Sequence, residues 1–133
     1  MYLKVKHYLT GMRTVAFWVS AVFLLFLGGS GLQSFFNDWE LAGTLGQKAT
    51  GMGQVLFGVC GLLAGVGAIL KRTWAGPLTL AFAVLAGVTA GLASVAWGGS
   101  NLATGIASGG LGFLIGMLLY WGILGRIPSS VPP

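Results

Sequence analysis

Charge is what this sequence has least of. Its 133 residues include two acidic side chains, seven lysines and arginines, one histidine and one cysteine, and charged residues make up 7% of the chain. A soluble domain spends about a quarter of its residues on charge, so a chain that is 56% hydrophobic has too little polar surface to cover its apolar side chains. A water-soluble globule is excluded. Cys60, the one cysteine, rules out an internal disulfide, and no CxxC or Cys/His cluster exists to hold zinc or an iron-sulfur cluster. It reads as a small apolar side chain filling a core position. His7 is alone, which excludes haem held between two histidines of this chain.

Other absences narrow the function. No ionisable side chain stands in the middle of an apolar run, which argues against a proton-coupled pump. No G-x-G-x-x-G or Walker pattern occurs, and the glycines follow helical spacing instead. Asp38 and Glu40 are two apart and would diverge on a helix, with no nucleophile or histidine beside them. The net charge of +5 is not a nucleic-acid signal, because the cations lie in flanks and turns rather than on one face with interleaved aromatics. The expectation is a chain with no catalytic residue, no cofactor and no metal site.

What is present is apolar length. Gly51 to Leu70 is a run of about twenty uncharged residues closed by Lys71-Arg72, and at ~1.5 Å per residue it covers roughly the 30 Å of a bilayer's hydrocarbon. Three neighbours repeat the pattern, giving expected spans at approximately 14–31, 51–70, 77–97 and 104–124. The sequence therefore predicts an all-α, integral-membrane four-helix bundle forming one membrane domain. A basic lead-in, Met1 to Arg13, precedes the first span. It resembles the start of a secretory signal, but no A-x-A-like cleavage site follows. An outward loop is expected at 32–50 and a tail at 125–133. Within the loop Ser34 is expected to cap a short interfacial helix, and Phe35, Phe36 and Trp39 are candidate partner or interface contacts.

Small residues recur on three of the spans in alternating steps of four and three. They are Gln54, Gly58, Gly61, Gly65 and Ala68 on the second, Ala83, Gly87, Ala90 and Ser94 on the third, and Gly105, Gly109, Gly112 and Gly116 on the fourth. In lipid such a stripe lets another helix backbone approach closely, so each is expected to face protein. Gln54 is the polar member, read as an amide bonding across to a neighbouring helix or, alternatively, to a membrane ligand. Further small residues, Gly53, Ala64, Gly67, Ala86 and Gly91, exceed what one seam per neighbour needs and suggest contacts beyond the chain.

Lys4, Lys6, Arg13, Lys71, Arg72 and Arg126 fall on one side of a four-span topology and Lys48 on the other, which places both termini in the cytoplasm. A faint repeat aligns Gly28-Gly29-Ser30 with Gly98-Gly99-Ser100, and Gly58 with Gly112.

Arg13 ahead of the first span, the segment FLLFLGGSGLQSFF from Phe23 to Phe36, the longer outward loop and the glycine-bearing second span closing on Lys71-Arg72 together resemble the DoxX-like family of small four-span membrane proteins. The resemblance implies an accessory role beside a separate, quinone-linked or other oxidoreductase subunit. It carries over no catalytic residue, since Gly58 stands where members often place a glutamate. The leading expectation is a non-catalytic scaffold subunit of a larger membrane complex, partnered by the lipid bilayer and by other membrane subunits or copies of itself, in a bacterial inner membrane. Two alternatives are a homo-oligomeric channel lined by Gln54, Thr89, Ser94 and Ser108, and a subunit that itself binds quinone or pigment.

Overall fold

A computed structural model of the chain describes residues 2–99 and 101–124, with side chains from Gly11 onward. The expected tail at 125–133, Arg126, Ser100 and the side chains of Lys4, Lys6 and His7 lie outside the described residues. Helix α1 runs Tyr2–Asp38, α2 Leu45–Ile69, α3 Ala75–Ala96 and α4 Leu102–Leu124, with one 3-10 turn at Trp39–Leu41. Four stretches, Gly11–Leu41, Leu45–Ile69, Ala75–Ala96 and Leu102–Leu124, are long and apolar enough to cross a membrane. Helices are what an apolar medium demands, since they bond every backbone group within the segment.

The helices follow one another around the bundle. α1 packs along α2, α2 along α3 and α3 along α4, while α1 and α4 meet over a shorter stretch. One end is marked by Arg13 stacked on Trp121, by Tyr120 beside Gly76 and by the Lys71-Arg72 turn. Trp39, Lys48 and the Gln47 contact to the Ala96 carbonyl mark the other end.

The first connection differs from expectation. No separate helix starts at Ser34, and the expected loop at 32–50 shrinks to residues 39–44, because α1 continues unbroken through Gly28-Gly29-Ser30 to Asp38. The cause is the pairing of α1 with α2. A β-carbon built on Gly28 would lie 2.7 Å from the Gly58 carbonyl oxygen, and one on Gly31 would lie 3.0 Å from the Gln54 carbonyl oxygen, so the glycines admit α2 rather than ending α1. At the other boundary Thr44 starts α2 early: its hydroxyl accepts from the Gln47 N–H at 3.1 Å while the Gln47 side chain accepts from the Thr44 N–H at 3.4 Å.

The repeat does not survive as aligned. Gly28-Gly29 is interior to a helix, whereas Gly98 and Gly99 lie in the α3–α4 turn, where Gly99 has φ +64°. The α2–α3 turn uses a left-handed residue too: Lys71 has φ 56°, and the N–H groups of Lys71 and Arg72 donate to the Ala68 and Gly67 carbonyls at 3.0 and 2.8 Å, closing off α2.

Replacing Gly58 by Leu places side-chain atoms where the Gly28 carbonyl oxygen stands 2.9 Å from the β-carbon; the expected loss is about 3 kcal/mol. Gly29→Leu, with nothing within 4 Å of its β-carbon, should stay within about 0.5 kcal/mol. Reversible unfolding in mixed micelles compares the two, and equal losses would refute the α1–α2 seam.

Candidate functional site

The small-residue stripes sort into separate interfaces and do not converge on one centre. On α2, Gly58, Gly61 and Gly65 are buried against α1: β-carbons there would come within 3.1 Å of the Leu32 N–H nitrogen, 3.0 Å of the Leu24 carbonyl oxygen and 3.1 Å of the Ala21 carbonyl oxygen. Ala68 is wholly buried one turn further on. On the other hairpin, α3 and α4 meet through glycine on both sides. Gly87 would touch the Gly109 carbonyl oxygen at 3.0 Å and Gly109 the Gly87 carbonyl oxygen at 2.9 Å, while Gly112 faces Ala86 and Ala90, and Gly116 faces Ala83 at 2.5 Å. Gly105 lies against Val95 and Gly91, and Ser94 is half-buried near that end.

The small residues that seemed surplus are used inside the chain. Gly53 faces the Thr89 side chain, Gly67 faces Trp74, Ala64 is fully buried, and Ala86 and Gly91 border α4 through Gly112 and Gly105. α2 and α3 are the inner members of the row, so each needs two smooth faces rather than one. Glycines without such a neighbour are few. Gly110, on the outer side of α4 with Ala103 and Ala107, has nothing within 4 Å of a β-carbon.

Polar groups inside the bundle are sparse. Thr50 and Thr79 return their hydroxyls to the carbonyls of Gly46 and Ala75, one turn back, at 2.9 and 2.8 Å. Gln54 makes no bond to a neighbouring helix: its Oε1 is buried without a partner among the described residues, as is the hydroxyl of Thr89, which is 4% exposed. No group of three or more His, Cys, Asp or Glu that could hold a metal occurs among the described residues.

At the end away from Arg13, the expected interface trio divides. Phe35 and Trp39 pack together with ring centres 5.2 Å apart and cover Gly51, and Lys48 lies 5.6 Å over the indole. Phe36 is 74% exposed and meets the Phe35 ring edge-on, with ring centres 5.5 Å apart. Gln47 was not anticipated. It donates from Nε2 to the Ala96 carbonyl at 3.2 Å as well as completing the Thr44 cap, tying the start of α2 to the end of α3. The pattern Thr-x-x-Gln was its available signal.

A recessed surface among the described residues lies on the outside. Between α1 and α4 at the Arg13 end runs an open groove of about 330 Å³, walled by Ala16, Val19 and Phe23 on one side and Ile115, Leu118 and Trp121 on the other. The two helices touch at its floor, where Gly122 leaves room for Ser20. Sequence reading did not find this groove, because its walls come from the first and fourth helices.

With that geometry in hand, comparison with known proteins gives no match: no family model fits this chain, and no curated protein or solved structure is significantly similar to it.

Two substitutions probe these contacts in unfolding experiments. Gln47→Ala removes the reciprocal cap and the bridge to α3, with an expected cost of about 1 to 2 kcal/mol. Gln54→Leu removes an unpartnered buried oxygen at nearly constant volume, so stability should hold or rise by about 1 kcal/mol. A large loss in the second case would mean that the amide has a partner.

Proposed function

We propose that the chain is a non-catalytic membrane subunit, a compact four-helix scaffold that associates with other membrane subunits or with copies of itself. The observation that supports this most is the close packing of the helices, which abut backbone to backbone along glycine, while the two described grooves lie on the outside and are apolar. α4 is the face for association. It buries 17% of its apolar window against 28–33% for the other three helices, and it carries Ala103, Ala107 and Gly110 outward in the same four-three step that brings the internal helices together. The sequence resemblance to DoxX-like proteins, of which the longer outward loop is not retained, implies the same accessory role. Arg13, Lys71 and Arg72 at one end, against Lys48 at the other, favour that basic end facing the cytoplasm of a bacterial inner membrane. A pore at a dimer interface is less well supported, because Thr89 is buried between α3 and α2 and cannot line an outer face without repacking.

Purification from membranes in a mild detergent followed by native mass measurement tests the proposal. The wild type should run as an oligomer or with a stoichiometric membrane partner, and Gly110→Leu should dissociate that species while leaving the unfolding transition in place. A wild type that is strictly monomeric, with no co-purifying protein, would overturn it.

A further inference from the structure

The α1–α4 groove supports a second reading that is independent of any partner subunit. We infer that it is a binding site for an anionic glycerophospholipid, with one acyl chain lying in the groove and the phosphate held at Arg13.

Width selects the occupant. From Ala16 to Phe23 the open groove follows α1 for about 10 Å and holds about 330 Å³. A helix with its side chains is about 10 Å across and cannot reach a floor where α1 and α4 already touch. An acyl chain can. If a methylene occupies about the ~30 Å³ of a water molecule, the groove takes roughly ten of them. The walls offer carbon almost throughout, and Ser20, the hydroxyl residue among them, is 5% exposed at the floor against Gly122.

Charge selects the headgroup. Ala16, Val19, Ser20 and Phe23 form one face of α1, and Arg13 continues that face one turn beyond Ala16, at the basic end of the bundle. Its guanidinium carbon stands 4.3 Å over the ring of Trp121, which itself walls the groove. Stacking on the indole uses the flat face of a guanidinium, whose N–H donors lie around its edge and match the oxygens of a phosphate. Lys71 and Arg72 lie at the same end, and Asp38 and Glu40, the acidic residues of the chain, lie at the other, so no carboxylate competes for the cation there. The indole also fixes where Arg13 stands, so the headgroup site is preorganised above the groove.

The test is native mass spectrometry of the full chain extracted from bilayers containing equal parts of phosphatidylglycerol and phosphatidylethanolamine, with the retained lipid identified by fragmentation. One phosphatidylglycerol per chain is expected. Arg13→Gln should lower its retention about tenfold, the worth of one hydrogen-bonded charge, and Arg13→Lys should restore part of it. Arg72→Gln removes the same charge at the same end and should leave retention unchanged. Val19→Trp fills the groove from an exposed wall position and should abolish retention even if the Arg13 variant proves unstable. The inference is overturned by equal retention of both lipids, by loss in Arg72→Gln as large as in Arg13→Gln, or by a quinone or a protein segment in the groove.

Discussion

Backbone-to-backbone approach at glycine is the contact on which this fold depends. In water a helix buries its apolar stripe because water expels it, but between helices already in hydrocarbon that driving force is absent, and association has to come from dispersion at close range. Gly28 against Gly58 and Gly87 against Gly109 bring main chains within reach of one another, with each would-be β-carbon inside 3.0 Å of the facing carbonyl oxygen. Helices α1 and α2 form one such pair, and α3 and α4 form the second. Larger side chains join the pairs: Phe82 reaches the ring of Phe57, with centres 5.8 Å apart at 74°, and borders Gly61. Phe17 and Leu24 fill the interior from α1.

The same economy explains the chemistry. Where glycine faces glycine, main chain meets main chain and no room is left for another molecule. Buried hydroxyls turn back on their own helices at Thr50 and Thr79, the usual answer when no neighbour offers a partner. Room for other molecules is left on the outside, where α1 and α4 meet over a shorter stretch than the other adjacent pairs. The bundle thus shows one division of labour, with smooth faces turned inward on α2 and α3 and an open flank left where α1 and α4 meet.

The number and apolarity of the helices could be read from the chain because the bilayer imposes them: about twenty residues without charge are what a single crossing requires. Faces could be read as well, since Gly58, Gly61 and Gly65 mark a stripe whatever lies opposite. Which helix lies opposite could not be read, and so small residues belonging to second neighbours, such as Gly53 and Gly67, looked like surplus. The first connection was misplaced because Gly28-Gly29-Ser30 has the composition of a break in water, whereas here the glycines admit the Gly58 segment of α2 and the helix runs on. The groove was invisible for a plainer reason: neither wall is unusual by itself, and Arg13 gains meaning once Trp121 is beneath it.

α1 has 37 residues and α3 has 22, or about 55 Å against about 33 Å of helix. The difference lies in the polar ends of α1: Lys4, Lys6 and Arg13 precede its uncharged run and Asp38 closes it, so a bilayer matched to α3 also suits the apolar part of α1. The excess emerges at both ends, as a basic stalk before Gly11 and as the Phe35, Phe36 and Trp39 shelf at the other. The long first helix therefore reaches past the ends of its neighbours on one flank of the bundle, carrying polar residues beyond the apolar run at each end.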